Sequence, residues 1–294
     1  MLILSDMSDT ATTSATAKLH LTKVQATGND FLLVLDPDGL RPLRRETVAA
    51  LCDRRLGIGA DGMIRAVRSA SIPEGACLAA SAEWFMDYVN ADGSVAEMCG
   101  NGVRAFVRYL VHRELVSGRL AVGTRAGVRW VERVRGGFRI DMGPWRITGR
   151  TMVRADGISE RRGLAINLGN PHVVVPVSGE ELAALRLAQA PALDPPAPEG
   201  ANVEFVVTEC TEGMGRVRMR VSERGVGETL SCGTGSVAAA LAAREWAGGV
   251  PNVWEVRIPG GVVEVEMTGG EKEQVTLAGP AEVVFDGEFT FHHP

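Results

Sequence analysis

No stretch of this 294-residue chain holds the roughly 18–20 consecutive apolar residues that a membrane-spanning helix needs. The opening MLILSDMSDT has neither a basic start nor a long apolar segment, so no export signal is predicted. Residues 1–17 read as a small, polar, frayed leader. Basic charge is not concentrated anywhere. The 31 Lys and Arg face 36 Asp and Glu for a net charge of −5, and arginines interleave with acids, as in RETVAALCDRR. Without a basic stripe, nucleic acid is a poor partner. There is no C-x-x-C pair and no H-E-x-x-H. The histidines (His20, His112, His172, His292 and His293) lack metal-ligand spacing, so no metal is expected. Five cysteines, an odd number in a chain with no export signal, point to a reducing cytoplasm. Their thiols serve chemistry or packing there, not a disulfide framework.

Short strands between Gly- and Pro-rich turns make up most of the sequence. Strand-like segments run over 19–24, 31–35, 128–134, 138–142, 202–208 and 262–267. RVRMRVS (216–222) alternates strictly, with Val217, Met219 and Val221 on one face. PALDPPAPEG (191–200) reads as a loop. Three helices stand out, over 44–55, 101–114 and 235–247. The second carries Val103, Phe106, Val107, Leu110 and Val111 in a helical stripe, and the third is apolar nearly all round, which predicts burial.

Two of these helices share an entry. MCGNGVRAF opens one and SCGTGSVAA the other, each a Cys-Gly-x-Gly run into a helix. Upstream of each lies a Gly-Asn beside a strand, at Gly28-Asn29 and Gly169-Asn170. The order therefore occurs twice. It predicts a mixed α/β (α+β) fold of two similar domains, each a curved mixed sheet around a central helix. The expected division is 18–138 plus 278–294 with Cys99, and 139–277 with Cys232, with the site in the cleft between them.

A cysteine at a helix N-terminus sits among unpaired backbone N–H groups, whose field favours thiolate and lowers the thiol pKa from about 8.5. The glycines that follow let a ligand approach the backbone and make a carboxylate cradle. Two such units face to face would set an amino-acid α-carbon between two sulfurs. One thiolate removes the α-proton, the other thiol returns a proton to the opposite face, and the helix ends meet the developing enediolate charge. Cys52, Cys77 and Cys210 have no such context and read as small buried hydrophobes. Neither Gly-x-Gly turn is a phosphate loop, because no lysine follows and G-x-x-x-x-G-K-[ST] is absent.

The strings KVQATGNDFLLV, CDRRLGIGADG, NADGSVAEMCGNGVRAF, LGNPHVVV, GANVEFV and RVSERGVGETLSCGTGSVAAALAA closely resemble the diaminopimelate epimerase family, in its order, over roughly residues 20–285. The resemblance implies cofactor-independent interconversion of LL- and meso-2,6-diaminopimelate in lysine and peptidoglycan precursor synthesis, by a homodimer. It matches Cys99 and Cys232 to the family's acid/base pair. Asn29, Asn90, Asn170 and Asn202 match its substrate-binding asparagines. Gly100-Asn101 and Gly233-Thr234 match the carboxylate cradle. Glu223 and Arg224 match its Glu-Arg pair: Arg224 would grip the distal carboxylate bidentately, and Glu223 would take an ammonium and tune a thiol. His172 matches a histidine thought to polarise the other cysteine. Three positions depart from the pattern: Gln25 stands where His is frequent, Ser222 where a larger residue is usual, and Gly62 where some members have a substrate-contacting Gln. A related proline or hydroxyproline epimerase is the nearest alternative. Its cyclic, one-carboxylate substrate would not need Arg224 and so many asparagines. A thiol redox switch is the more distant one, weakened by the missing C-x-x-C.

Overall fold

The computed structural model describes residues 16–211, 213–270 and 273–292. The first elements are β1 (Thr16–Ala26), β2 (Asn29–Leu35), α1 (Arg45–Cys52), β3 (Gly62–Arg68), α2 (Pro73–Ala76) and β4 (Trp84–Asn90). Then come α3 (Gly100–His112), β5 (Leu120–Thr124), β6 (Gly127–Val134) and β7 (Gly137–Asp141). A second series follows: β8 (Arg146–Arg154), β9 (Arg161–Asn167), β10 (Pro171–Pro176), α4 (Gly179–Ala184), β11 (Ala192–Asp194), β12 (Asn202–Thr211), β13 (Met214–Glu223) and β14 (Gly227–Thr229). It continues with α5 (Gly233–Trp246), β15 (Val253–Ile258), β16 (Gly261–Met267) and β17 (Val275–Gly279), and β18 (Glu282–His292) ends the chain.

Strand pairing makes two ladders of one design. The first runs β18–β1–β2–β3–β4–β5–β6–β7, with β2/β3 and β4/β5 parallel. The second runs β8–β9–β10–β12–β13–β15–β16–β17, with β10/β12 and β13/β15 parallel. A parallel pair needs a crossover. In the first ladder α1 links β2 to β3 and α3 links β4 to β5. In the second, α4 links β10 to β12 and α5 links β13 to β15. β7 pairs with β17 and joins the two. The last strand, β18, returns to β1.

Each sheet wraps its long helix. On α3, Val103, Phe106, Val107 and Leu110 are buried, and on α5 every residue from Ser236 to Ala243 is. The alanines of α5 let the second sheet close tightly around it. Both helices and both inner sheet faces form one apolar cluster. The outer faces are covered too: α1 packs Val48 and Leu51 on Leu32 and Met63, and α4 packs Leu182 on Val173 and Phe205. Double coverage explains why β10 reads as an unbroken Val173-Val174-Val175 run.

The strand segments expected from the sequence lie in strands, except that Met142, the last residue expected over 138–142, falls just past the end of β7. The helix expected over 44–55 is shorter: it stops at Cys52, where Asp53 turns the chain and its Oδ1 accepts from the Arg55 and Leu56 N–H groups at 2.7 Å. The 191–200 segment is not all loop, because β11 pairs with β8. Cys77 is exposed, not a buried hydrophobe, on the short outer connection after α2. The Cys210 side chain lies outside the described residues, as does the leader up to residue 15, while Thr16 and Ala17 already belong to β1. The expected boundaries, 138/139 and 277/278, fall inside β7 and β17, the pair that joins the ladders.

Candidate active site

The β1–β2 hairpin turns through Thr27 at φ +52° and Gly28 at φ +85°, a tight two-residue turn. Threonine is β-branched and ill suited to the left-handed region, so this turn is strained. Hydrogen bonds hold it: Thr27 Oγ1 lies 2.7 Å from Ser231 Oγ and accepts from Arg104 Nη2 at 3.0 Å. Gln25, at the position where the family often has His, accepts the Gly28 N–H at 3.0 Å. The turn delivers Asn29 to the floor of the cleft.

Cys99 and Cys232 occupy equivalent places. Each caps its helix with extended backbone, Cys99 on α3 and Cys232 on α5. Their sulfurs accept the N–H of Gly102 at 3.4 Å and of Gly235 at 3.3 Å. The helix starts meet: a methyl group built on Gly233 would stand 3.4 Å from Gly100 Cα. A methyl group built on Gly100 would in turn stand 3.8 Å from Gly233 Cα, so the two helix starts are in van der Waals reach of each other. A cleft of about 1690 Å³ opens above this point. Asn29, Asn90, Cys99, Gly100, Asn101, Asn170, Glu223, Arg224, Cys232, Gly233 and Thr234 all line it. Asn202 and His172 do not; they sit behind the wall. Among the described residues no three His, Cys, Asp or Glu side chains converge where a metal ion could be held.

The Cys99 thiol points to Asn29 Oδ1 at 3.7 Å. The Asn29 amide nitrogen donates to Asp61 Oδ2 at 2.5 Å. Asn101 donates to Asn29 Oδ1 at 3.3 Å and to Ser231 Oγ at 2.9 Å, and accepts from Arg104 Nη2 at 2.7 Å. Around Cys232 the groups differ. Its sulfur lies 3.6 Å from Thr234 Oγ1, which accepts from Asn170 Nδ2 at 3.3 Å. His172 Nε2 lies 3.0 Å from Asn170 Oδ1, and Nδ1 lies 2.7 Å from Glu204 Oε1. Both ring nitrogens are thus taken, and His172 hydrogen-bonds neither thiol. Glu223 accepts from the Thr229 hydroxyl and from Cys232. At the far wall the exposed Arg224 donates its N–H to Asn202 Oδ1 at 2.9 Å and Nη1 to Glu199 O at 3.0 Å, while Asn90 Nδ2 donates to Ser94 Oγ at 3.0 Å.

Electrostatics reverse one expectation. The helix starts do act on the thiols, but burial outweighs them. Burial pushes the Cys99 thiol up to about 11, opposed by the Gly102 and Asn101 N–H groups and by Arg104 and aided by Glu223. Cys232 is pushed well above the usual thiol range by burial, then by the carboxylates of Glu223 and Glu204. Glu223 is itself raised by burial, against its bonds from Thr229 and Cys232.

Sequence reasoning missed four residues here. Arg104 and Glu204 are both fully buried. Asp61 anchors Asn29, and Tyr88 lines the cleft with its phenol pushed up, chiefly by burial and then by Cys99. Gly62 also has a structural reason: a Cβ there would meet Val89 O at 2.5 Å and Tyr88 Cε2 at 2.7 Å, so no glutamine fits.

The sequence profile described as diaminopimelate epimerase matches residues 21–148 and 164–284. The protein named diaminopimelate epimerase from Thermobifida fusca is 47% identical over 281 residues, covering 92% of this chain and 97% of its own. That from Streptomyces coelicolor is 44% identical over 284 residues, with 92% and 96% covered. Among solved structures, a PhzF-family phenazine biosynthesis protein from Bacillus anthracis shares the fold at TM-score 0.64 and 18% identity, over 94% of this chain and 100% of that one. A hydroxyproline epimerase from Agrobacterium vitis shares it at TM-score 0.60 and 16% identity, with 94% of each chain covered. With one profile spanning both ladders and full-length relatives at this identity, the chain belongs to the diaminopimelate epimerase family.

Proposed function

We propose that this protein interconverts LL- and meso-2,6-diaminopimelate by moving the α-proton between Cys99 and Cys232, without cofactor, in lysine and peptidoglycan precursor synthesis. The observation that carries the reading is the contact of the two helix starts at Gly100 and Gly233, which puts two cysteine-capped N-termini on one cleft. The α-carboxylate would lie against the open N–H groups of Gly100, Asn101, Gly233 and Thr234, where two helix dipoles favour negative charge. The α-carbon then sits between the sulfurs. One thiolate takes the proton, the developing enediolate charge stays at the helix ends, and the opposite thiol reprotonates the carbon.

The ligand-free thiols are raised, so one must lose its proton as substrate binds. The ammonium group supplies a positive charge beside them, and Glu223 is placed to receive from the ammonium or from Cys232. Asn29, Asn90 and Asn170 offer both donor and acceptor ends to amino and carboxylate groups. Asn202 acts from behind by fixing the Arg224 backbone, and Arg224 faces the distal carboxylate. His172 acts on the Cys232 side through its bonds to Asn170 and Glu204. This distal set separates the reading from a proline-type epimerase, whose substrate lacks a second amino-acid end. We further propose a homodimer working in the cytoplasm. No described helix is long and apolar enough to cross a membrane.

The test is solvent exchange. Reduced enzyme, treated with chelator and free of pyridoxal phosphate, should wash deuterium into the α-position of LL-diaminopimelate, and not into proline or lysine. Undiminished exchange in the Cys99→Ser/Cys232→Ser protein would sink the two-thiol reading; exchange of proline would sink the substrate.

A further inference from the structure

Arg104 is an arginine with no exposed surface and, among the described residues, no carboxylate at ion-pair distance. Its Nε and Nη1 have no hydrogen-bond partner, and only Nη2 is used, by Thr27 and Asn101. Buried cations are ordinarily paired, because burial without a counter-charge is costly. Burial holds this guanidinium down at about 10, and the one charge that opposes the effect is the Cys99 thiolate.

Arg104 also fixes the direction of the amides beside that sulfur. A guanidinium only donates, so the Asn101 atom facing it must be the carbonyl oxygen. The Asn101 nitrogen is thereby turned to Asn29 and Ser231. At the far end Asp61 only accepts, so Asn29 keeps its nitrogen on Asp61 and its oxygen toward Cys99. The chain Arg104–Asn101–Asn29–Asp61 runs from a cation to an anion past one thiol. On α5 the residue matching Arg104 is the apolar Val237.

We infer that Arg104 is the buried counter-charge of Cys99, a positioning residue that makes Cys99 the first of the two thiols to give up its proton. The charged and titratable groups facing Cys99 are Arg104 from α3, Glu223 from β13, Tyr88 from β4 and Asp61 before β3. Those facing Cys232 are Glu223 and Glu204, both carboxylates. Glu223 acts on both thiols; the fully buried charges that distinguish them are Arg104 beside Cys99 and Glu204 beside Cys232.

The inference rests on the two-thiol reading, but its test does not need turnover. Each cysteine is alkylated with iodoacetamide across pH, and the two peptides are followed by mass spectrometry. In the unmodified sequence the Cys99 midpoint should fall at least one pH unit below that of Cys232, about a tenfold difference in thiolate fraction at a given pH. Arg104→Met, which keeps an unbranched apolar stem, should raise the Cys99 midpoint by about one unit or more and leave Cys232 within about 0.3. Arg104→Lys, which keeps the charge, should hold Cys99 within about 0.5 of the parent. A Cys232 midpoint at or below that of Cys99 overturns the inference without any variant. Equal movement of both thiols in Arg104→Met, or a full-unit rise in a folded Arg104→Lys, overturns it too. Missing solvent exchange with the midpoint order intact would remove the proposed reaction and leave this inference standing.

Discussion

The two halves of this molecule share a frame and differ in what they bury beneath it. Strand register makes the match residue by residue. Phe31 lies opposite Gly62, which lies opposite Asn90; in the second ladder His172 lies opposite Asn202, one step from the Val203–Ser222 pair and so beside Glu223. Leu33 opposes Ile64 where Val174 opposes Glu204. Phe31 and Ile64 thus take the places of His172 and Glu204. Under the start of α3 the neighbours of Gly102 are apolar, with Phe31 and Ile64 at 3.6 and 3.5 Å from a built Cβ. Under α5 the Glu204 carboxylate would be 2.7 Å from a Cβ on Gly235, so that glycine is what admits it. Beside its cysteine, one half buries a cation in the helix, Arg104, and the other a histidine–carboxylate pair in the sheet, His172 and Glu204. A duplicated scaffold has become an unequal pair of thiol sites, as a reaction with two non-equivalent substrates requires.

The largest effect should come from removing either end of the pair. Cys99→Ala and Cys232→Ala should each lower epimerisation by about 10²–10⁴-fold, the scale of one lost acid or base. Each should still wash the α-hydrogen from one stereoisomer only, and the two variants should favour opposite isomers. Exchange monitored by NMR on LL- and meso-substrate reads this directly. If both variants exchanged the same isomer, the sulfurs would not flank the carbon from opposite faces.

The buried charges themselves can be made alike. His172 and Glu204 side chains have no exposed surface, and Glu204 Oε2 has no partner. Glu204→Ile leaves the buried His172 Nδ1 without its partner and should cost about 3–5 kcal/mol in urea unfolding. His172→Phe/Glu204→Ile copies the first half's core and should recover to within about 1 kcal/mol of the parent, since a well-packed apolar pair can replace a buried ionic one. It should also slow turnover, because Asn170 loses the bond that orients it. A double variant as unstable as the single would mean that the two cores are not interchangeable.

Much of this frame was legible in the sequence. The repeated Gly-Asn and Cys-Gly-x-Gly elements mark both helix starts, and the apolar circumference of α5 foretells its burial. The unequal charges were not legible, for a geometric reason. Arg104 and Arg108 interrupt the apolar stripe of α3 as a solvated face would, but the sheet closes around α3 and buries Arg104 completely. In NVEFVV, Glu204 alternates with Val203 and Phe205 and so reads as outward-facing; both faces of β12 are covered, by α5 and α4, and it is buried. The direction of the thiol shifts was hidden likewise. A helix N-terminus is visible in a sequence, whereas the burial that outweighs it belongs to the assembled cleft.

The smallest expected effect bears on Gly62, the first half's counterpart of Asn202. Its φ is not in the left-handed region, so a side chain there meets contact and not backbone strain. Gly62→Ala drives a methyl to 2.5 Å from Val89 O and 2.7 Å from Tyr88 Cε2. Relief requires β4 to shift by several tenths of an ångström, at about 1–3 kcal/mol. The reverse change, Asn202→Gly, opens space and gives up one hydrogen bond to the Arg224 N–H, about 1 kcal/mol. Thermal unfolding should therefore rank Gly62→Ala below Asn202→Gly, although alanine is the milder replacement by size. Function should divide the other way. Gly62→Ala moves Tyr88 and Asn90 on the Cys99 side, whereas Asn202→Gly frees Arg224 on the distal side and should raise KM with little change in kcat. If Gly62→Ala left stability untouched, β4 would be yielding freely, and the close packing that distinguishes the first half at this position would not be what excludes a larger residue.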